Sequence, residues 1–191
     1  MRTVLLGGPG SGKGTQGHRL AEHFGVPHIA SGEKLRAEVE AGTELGRQVA
    51  GYLDAGRLVP DELISDLMLP AVLRAAGAGG YVLDGLPRSV AQAVQLDAAL
   101  ARAGAGPQAV LFLTVEQHEL VRRLLERAGT AGRSDDTAEV IADRLQIFEA
   151  ETRPLIEHYR AQRLLIEVAA DQPVDRVTDA ILAALAAAGA P

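Results

Sequence analysis

The residue types best suited to chemistry stand near the start of the chain, in Val4-Leu5-Leu6-Gly7-Gly8-Pro9-Gly10-Ser11-Gly12-Lys13-Gly14-Thr15. An apolar run followed by a glycine-rich turn and a lysine at a helix start can grip a chain of phosphates. The turn glycines carry no Cβ, so backbone N–H groups can close around an oxyanion. A helix beginning near Lys13 adds unpaired amides and the positive end of its dipole. Lys13 itself is a mobile point charge for the outer phosphates. The usual pattern places a Ser or Thr, the Mg²⁺ ligand, directly after the lysine. Here Gly14 holds that position and Thr15 comes one residue later.

A second set follows the apolar run 81–83: Asp84-Gly85-Leu86-Pro87-Arg88. An Asp at the end of such a strand can hold Mg²⁺ through waters, because this ion keeps much of its hydration. Arg88 has the planar fork that takes a phosphate at two points. Taken alone, the segment also reads as a Gly-Pro turn with a surface ion pair. A third set is Arg123, Arg127, Arg133 and Arg144, which bracket a short polar stretch at 128–136. Cations gathered round a small loop repel unless an anion comes between them. A loop closing over polyphosphate meets that condition; a solvated helix face is the plainer reading. The five histidines, His18, His23, His28, His118 and His158, are scattered and read as structural or solvated positions.

These groups need a frame. Short Val-, Leu- and Ile-rich runs at 4–6, 81–83, 109–115 and 164–168, with a weaker one at 27–29, predict five buried parallel strands. Helix-length segments lie between them at 13–24, 61–75, 89–103, 116–127, 137–163 and 173–188, the βα alternation of a parallel sheet. Asp61 and Thr137 read as N-caps and Pro173 as first-turn proline. Residues 30–59 break the rhythm with helical pattern and Gly32, Gly42, Gly46, Gly51 and Gly56. They and 128–136 read as insertions at the sheet rim. In open α/β sheets ligands sit at the strands' carboxyl ends, which places Asp84 and Arg88 beside the phosphate loop.

Composition narrows the partners. The chain has 191 residues and a formal net charge of −6, which opposes a nucleic-acid or membrane-surface partner. With no Trp and three each of Tyr and Phe, it has no aromatic platform for base stacking. It has no cysteine, hence no disulfide or thiolate metal site. It enters a strand at once and has no apolar run near the ~20 residues of a bilayer span. The expectation is a cytoplasmic protein.

Several motifs together resemble the adenylate kinase family. They are Gly7-Gly8-Pro9-Gly10-Ser11-Gly12-Lys13-Gly14-Thr15, Ser31-Gly32-Glu33-Lys34-Leu35-Arg36, Asp54 to Glu62, Asp84-Gly85-Leu86-Pro87-Arg88 with Gln92, and Gly132-Arg133-Ser134-Asp135-Asp136 followed by Arg144. They stand in family order over nearly the whole chain. The resemblance implies a P-loop three-layer α/β/α domain over 1–191 with a central parallel five-stranded sheet, an AMP-binding subdomain at 30–59 and a short lid at 126–136. It implies no structural zinc, since the long lid that carries one uses cysteines. It places ATP on Gly10, Ser11, Gly12, Lys13, Gly14 and Thr15, with Arg123, Arg127 and the carbonyl of Gln172 beside it. The AMP phosphate falls to Arg36, Arg88, Arg133 and Arg144. Its base falls to Ser31, Arg57, Leu58, Val59, Gly85, Leu86, Pro87 and Gln92. Mg²⁺ arrives with ATP and meets Asp84 through water. ADP is the product, and a monomer is expected. Glu33, Leu86 and Ala30 depart from the residues the family commonly has there, which predicts altered affinity with activity kept.

The implied reaction needs no general base, because the AMP phosphate oxygen is itself the nucleophile. Catalysis would be positioning plus charge neutralisation by Lys13, Arg88, Arg123, Arg133 and Arg144. Two flaps that close only on both nucleotides would keep water from the γ-phosphate, with glycines 42, 46, 51, 56, 129 and 132 either absorbing the movement or packing helices. A UMP or CMP kinase with the same fold is the near alternative; Gln92, whose amide can pair with adenine, favours AMP. A nucleotide-dependent switch lacks a use for a second nucleotide site.

Overall fold

Five short runs form the sheet: β1 (Arg2–Gly7), β2 (His28–Ala30), β3 (Tyr81–Asp84), β4 (Ala109–Thr114) and β5 (Leu165–Ala169). In the computed structural model, which describes residues 1–131 and 137–189 (without the side chains of 130 and 131), all of them pair in parallel. Their order is β2-β3-β1-β4-β5. The first strand is therefore central, with Thr3 opposite both Val82 and Ala109.

Alternation along the strands feeds two separate cores. Val4, Leu6, Tyr81, Leu83 and Val110 pack with Met68 and Val72 of α4 (Asp61–Gly77), Leu96 and Leu100 of α5 (Val90–Arg102), and Leu155 and Tyr159 of α8 (Leu155–Ala161). Leu5, Val82, Leu111 and Leu113 face the other way, onto Leu20 of α1 (Lys13–Phe24) and Val177, Ile181 and Leu185 of α9 (Val174–Ala187). Strands buried on both faces between two helical layers give the expected three-layer α/β/α sandwich.

Two helix pairs stand outside those layers. In the 30–59 stretch, α2 (Ser31–Glu40) and α3 (Glu44–Asp54) form a hairpin turned at Gly42. Thr43 caps α3 by accepting from Gly46 N at 2.9 Å. Gly46 is a packing glycine: a Cβ there would lie 2.1 Å from Glu38 O. Gly42 and Gly56 sit in left-handed turns, φ 62° and 65°, whereas a Cβ on Gly51 or Gly129 would meet open space. The second pair is α6 (Gln117–Ala131) and α7 (Ala138–Ile147), joined by a small core of Leu120, Leu124, Ile141 and Leu145.

Several expected boundaries move. The helix read over 137–163 is broken, since α7 gives way to a π-helical turn, Phe148–Thr152, before α8. Pro154 has no N–H and crowds the carbonyl four residues back, so a continuous α-helix cannot pass it. Arg153 N instead reaches Phe148 O at 2.8 Å, the five-residue spacing of a π turn. Thr137 does cap α7, accepting from Val140 N at 3.3 Å. Asp61 is the first helical residue, with Pro60 in the cap position, and Pro173 likewise stands just outside α9. Residues 128–131, expected in a loop, continue α6, where one glycine costs only about 1 kcal/mol. The rest of that stretch, including Gly132, Arg133, Asp135 and Asp136, lies outside the described residues. Among the described residues no helix is long and apolar enough to cross a membrane.

Candidate active site

The loop between β1 and α1 is shaped by contacts that side chains would obstruct. Gly7 runs beside Leu113 O, where a Cβ would approach to 2.9 Å. Gly10, at φ 84°, leaves room for Leu120 O and Leu124. Gly12 caps α1 in the left-handed region without a side-chain acceptor, so the first amides of α1 remain directed at the cleft. Lys13 folds over this loop, its Nζ donating to Gly7 O at 2.8 Å and Gly8 O at 2.9 Å.

Lys13 shares its surroundings with other charges. Burial pulls its pKa down to about 8; Asp84 opposes the shift, while Arg88, Arg144 and Arg127 add to it. Three arginines and one carboxylate thus stand within electrostatic reach of one lysine. Asp84, at the end of β3, is almost covered. Burial alone would raise its pKa, but His28, Lys13 and Arg88 outweigh it and hold the carboxyl below its ordinary range.

These groups line one cleft of about 730 Å³ at the carboxyl ends of the strands. Its wall includes Gly10, Ser11, Gly12, Lys13, Gly14 and Thr15 from the first turn of α1 and the loop before it. Facing them are Asp84 at the end of β3, Gly85, Pro87 and Arg88 after it, and Arg36 and Leu58 from the 30–59 stretch. Arg123 and Arg127 of α6, Arg144 of α7, and the exposed Gln172 close the circle. Arg123 is fixed twice, donating to Glu119 Oε1 at 2.6 Å and to Ala170 O at 3.0 Å. Arg133, Asp135 and Asp136 lie outside the described residues.

A narrow second cavity, about 30 Å³, adjoins the cleft. Ser31, Arg57, Leu58, Val59, Gly85 and Gln92, six of the eight residues expected around the AMP base, line it together with Arg88; Pro87 lines the main cleft instead. Its volume holds little more than a water. Ser31 Oγ and Arg88 Nε both donate to Gly85 O, at 2.8 and 2.9 Å. Gln92 is buried with both ends of its amide engaged: Oε1 accepts from Arg88 N at 2.7 Å and Nε2 donates to Asp61 Oδ1 at 2.7 Å. Leu86 lines neither cavity; it is 3% exposed and belongs to the core.

Sequence reasoning missed three supports. Thr152, in the π turn, donates to Arg88 O at 2.8 Å and so fixes the backbone that carries the arginine. The signal was Pro154, which ends the helix two residues later. Gly56 must be small as well as left-handed, since a Cβ would lie 2.7 Å from Arg144 Cγ. Gln16, buried beneath the loop, donates to Val174 O at 3.0 Å and accepts from Thr178 Oγ1 at 2.8 Å, tying α1 to α9.

Comparison with known proteins adds an independent finding. The family model described as adenylate kinase matches residues 5–164. An adenylate kinase of Stenotrophomonas maltophilia is 44% identical over 185 residues, 97% of this chain and 99% of the relative. One from Nocardioides is 44% identical over 185 residues, 97% of both chains. One from Kocuria rhizophila is 42% identical over 184 residues, 96% of this chain and 98% of the relative.

Proposed function

The chain belongs to the adenylate kinase family and carries out reversible phosphoryl transfer between ATP and AMP, and on that premise we propose that it works by positioning and charge neutralisation, without a general base. The observation that carries this reading is the convergence of Lys13, Arg36, Arg88, Arg123, Arg127 and Arg144 on one cleft. Phosphoryl transfer spreads charge over the oxygens of the moving group, and fixed cations in a site closed to water stabilise it best.

ATP lies with its phosphates on residues 10–15, Lys13 among them, its base side toward Gln172. AMP enters opposite, its phosphate on Arg36, Arg88 and Arg144, with Arg133 assigned there by the resemblance. An AMP phosphate oxygen attacks the γ-phosphorus, the bond from that phosphorus to the β–γ bridging oxygen breaks, and two ADP result. Because the attacking oxygen carries its own charge, no proton need be removed. Arg123 and Arg127 reach in from α6. The α2–α3 hairpin serves as the AMP-binding subdomain and the α6–α7 end as the short lid.

Mg²⁺ is part of the ATP substrate. Asp84 fits it: an ionised, mostly covered carboxylate at the strand end suits a hard cation that keeps its waters. Bound there, the ion would screen phosphate charge; Thr15 stands exposed and outside the usual ligand position. The protein is expected to act as a cytoplasmic monomer.

Base choice rests on Gln92, whose amide is oriented by Arg88 N and Asp61 and keeps a second N–H and a second oxygen lone pair for adenine. The test is ADP formation from Mg-ATP with AMP, UMP, CMP or GMP offered singly, beside an acceptor-free control. Rapid formation with AMP alone is expected. Preference for UMP or CMP would overturn the role given to Gln92, and slow formation unaffected by any monophosphate would overturn the two-nucleotide reading.

A further inference from the structure

His28 is an anomaly in β2. Its side chain is 4% exposed, yet neither ring nitrogen makes a hydrogen bond. A buried polar group without a partner is costly, and native structures rarely leave one. The ring lies against Gly17 of α1, where a Cβ would come within 2.4 Å of Nε2. Asp84 Oδ2 stands 3.8 Å from that nitrogen, beyond hydrogen-bond reach.

Beside it is the ring of His18, edge to face, with centroids 4.4 Å apart. His18 Nε2 is in turn 3.6 Å from Glu33 Oε1 at the start of α2. One ligand atom from each of His18, His28 and Glu33 lies within 4.8 Å of the others.

We propose that His18, His28 and Glu33 form a binding site for a first-row transition cation, Zn²⁺ in type, on the wall of the nucleotide cleft. Two imidazoles and one carboxylate suit such an ion, whereas Mg²⁺ and Ca²⁺ prefer oxygen throughout. Zinc–ligand bonds of about 2.0–2.2 Å put tetrahedral ligand atoms about 3.4 Å apart, so the widest separation in the cluster must contract by up to about 1.4 Å. The side chains able to make that movement are the exposed ones: His18 and Glu33 are 66% and 50% exposed. His28 is the fixed ligand, and the ion satisfies a ring whose nitrogens make no hydrogen bond. The three ligands come from α1, β2 and α2, so the ion ties the phosphate-binding helix to the α2–α3 hairpin.

The experiment is a titration of the metal-free full chain with Zn²⁺, without nucleotide, against a competing chromophoric chelator. The wild type should bind one equivalent. His18→Asn and His28→Gln should each weaken binding by at least about tenfold. His18→Asn alters an exposed ring, and its ADP formation in Mg²⁺ should match the wild type, which shows that its fold is intact. Imidazole nitrogen NMR should shift at His18 and His28 and not at His23, His118 or His158. No saturable binding by the wild type would overturn the proposal. So would affinity unchanged in both variants, or shifts confined to the other histidines.

Discussion

Nucleotide binding should draw a proton onto Lys13. Its pKa is pulled down to about 8 by burial and by Arg88, Arg144 and Arg127, against an ordinary value of 10.5. Polyphosphate laid on the loop reverses the balance, since the charged form gains direct partners. If the bound lysine returns to its ordinary value or above, about 0.9 proton is taken up per nucleotide at pH 9, and affinity falls about tenfold from pH 7 to pH 9. The assay is calorimetric titration with ADP at pH 9 in two buffers of different ionisation heat, whose difference gives the proton count. Lys13→Arg, which keeps its charge at that pH, should take up none. An absence of uptake by the wild type, or equal uptake by Lys13→Arg, would refute the reasoning. The same shift sets a stability trend with a definite sign. Between pH 8 and 10.5 the unfolded chain binds more protons at this lysine than the folded one, so its contribution makes stability rise with pH across that window.

Other substitutions probe other supports. Arg88→Lys should lower kcat by about 10²–10³-fold with an unchanged melting temperature, because a point charge cannot replace the fork that also holds Gly85 O; a variant within twofold of wild type would remove Arg88 from the reaction. Gly56→Ala combines a left-handed φ of 65° with a Cβ close to Arg144 Cγ, and should cost at least about 1 kcal/mol in urea unfolding while raising the KM for AMP more than that for ATP. Leu124→Ala empties a fully buried position in the core between α6 and α7 that also backs Gly10. It should destabilise the chain by about 2–5 kcal/mol, read by thermal denaturation.

Much of this site was legible because its chemistry depends on contiguous residues. The loop from Gly7 to Thr15 and the turn from Asp84 to Arg88 each carry both their structure and their ligands in one short run. The sheet was legible for a similar reason, since parallel strands buried on both faces leave uninterrupted apolar runs. What escaped were relations between distant residues. Gly17 has no local reason to be a glycine; only the ring of His28 from a neighbouring element supplies one. Nothing in the sequence showed that Gln92 spends both ends of its amide on Asp61 and Arg88. The break after Ile147 was visible in Pro154, but the helical pattern on both sides masked it. Local periodicity cannot distinguish a continuous helix from two joined by a π turn.

The central place of β1 also bears on how the chain comes together during synthesis. Residues 2–7 leave the ribosome before the other strands, yet their neighbours in the sheet are Tyr81–Asp84 on one side and Ala109–Thr114 on the other. Neither β1 nor β2 has a strand to pair with before β3 has emerged, and β1 stays an unprotected edge until β4 follows. Pairings this distant in sequence form slowly, and exposed strand edges invite association with other chains. The phosphate-gripping loop is thus translated before its sheet neighbours but acquires its shape only after Leu113, which Gly7 abuts, has been added.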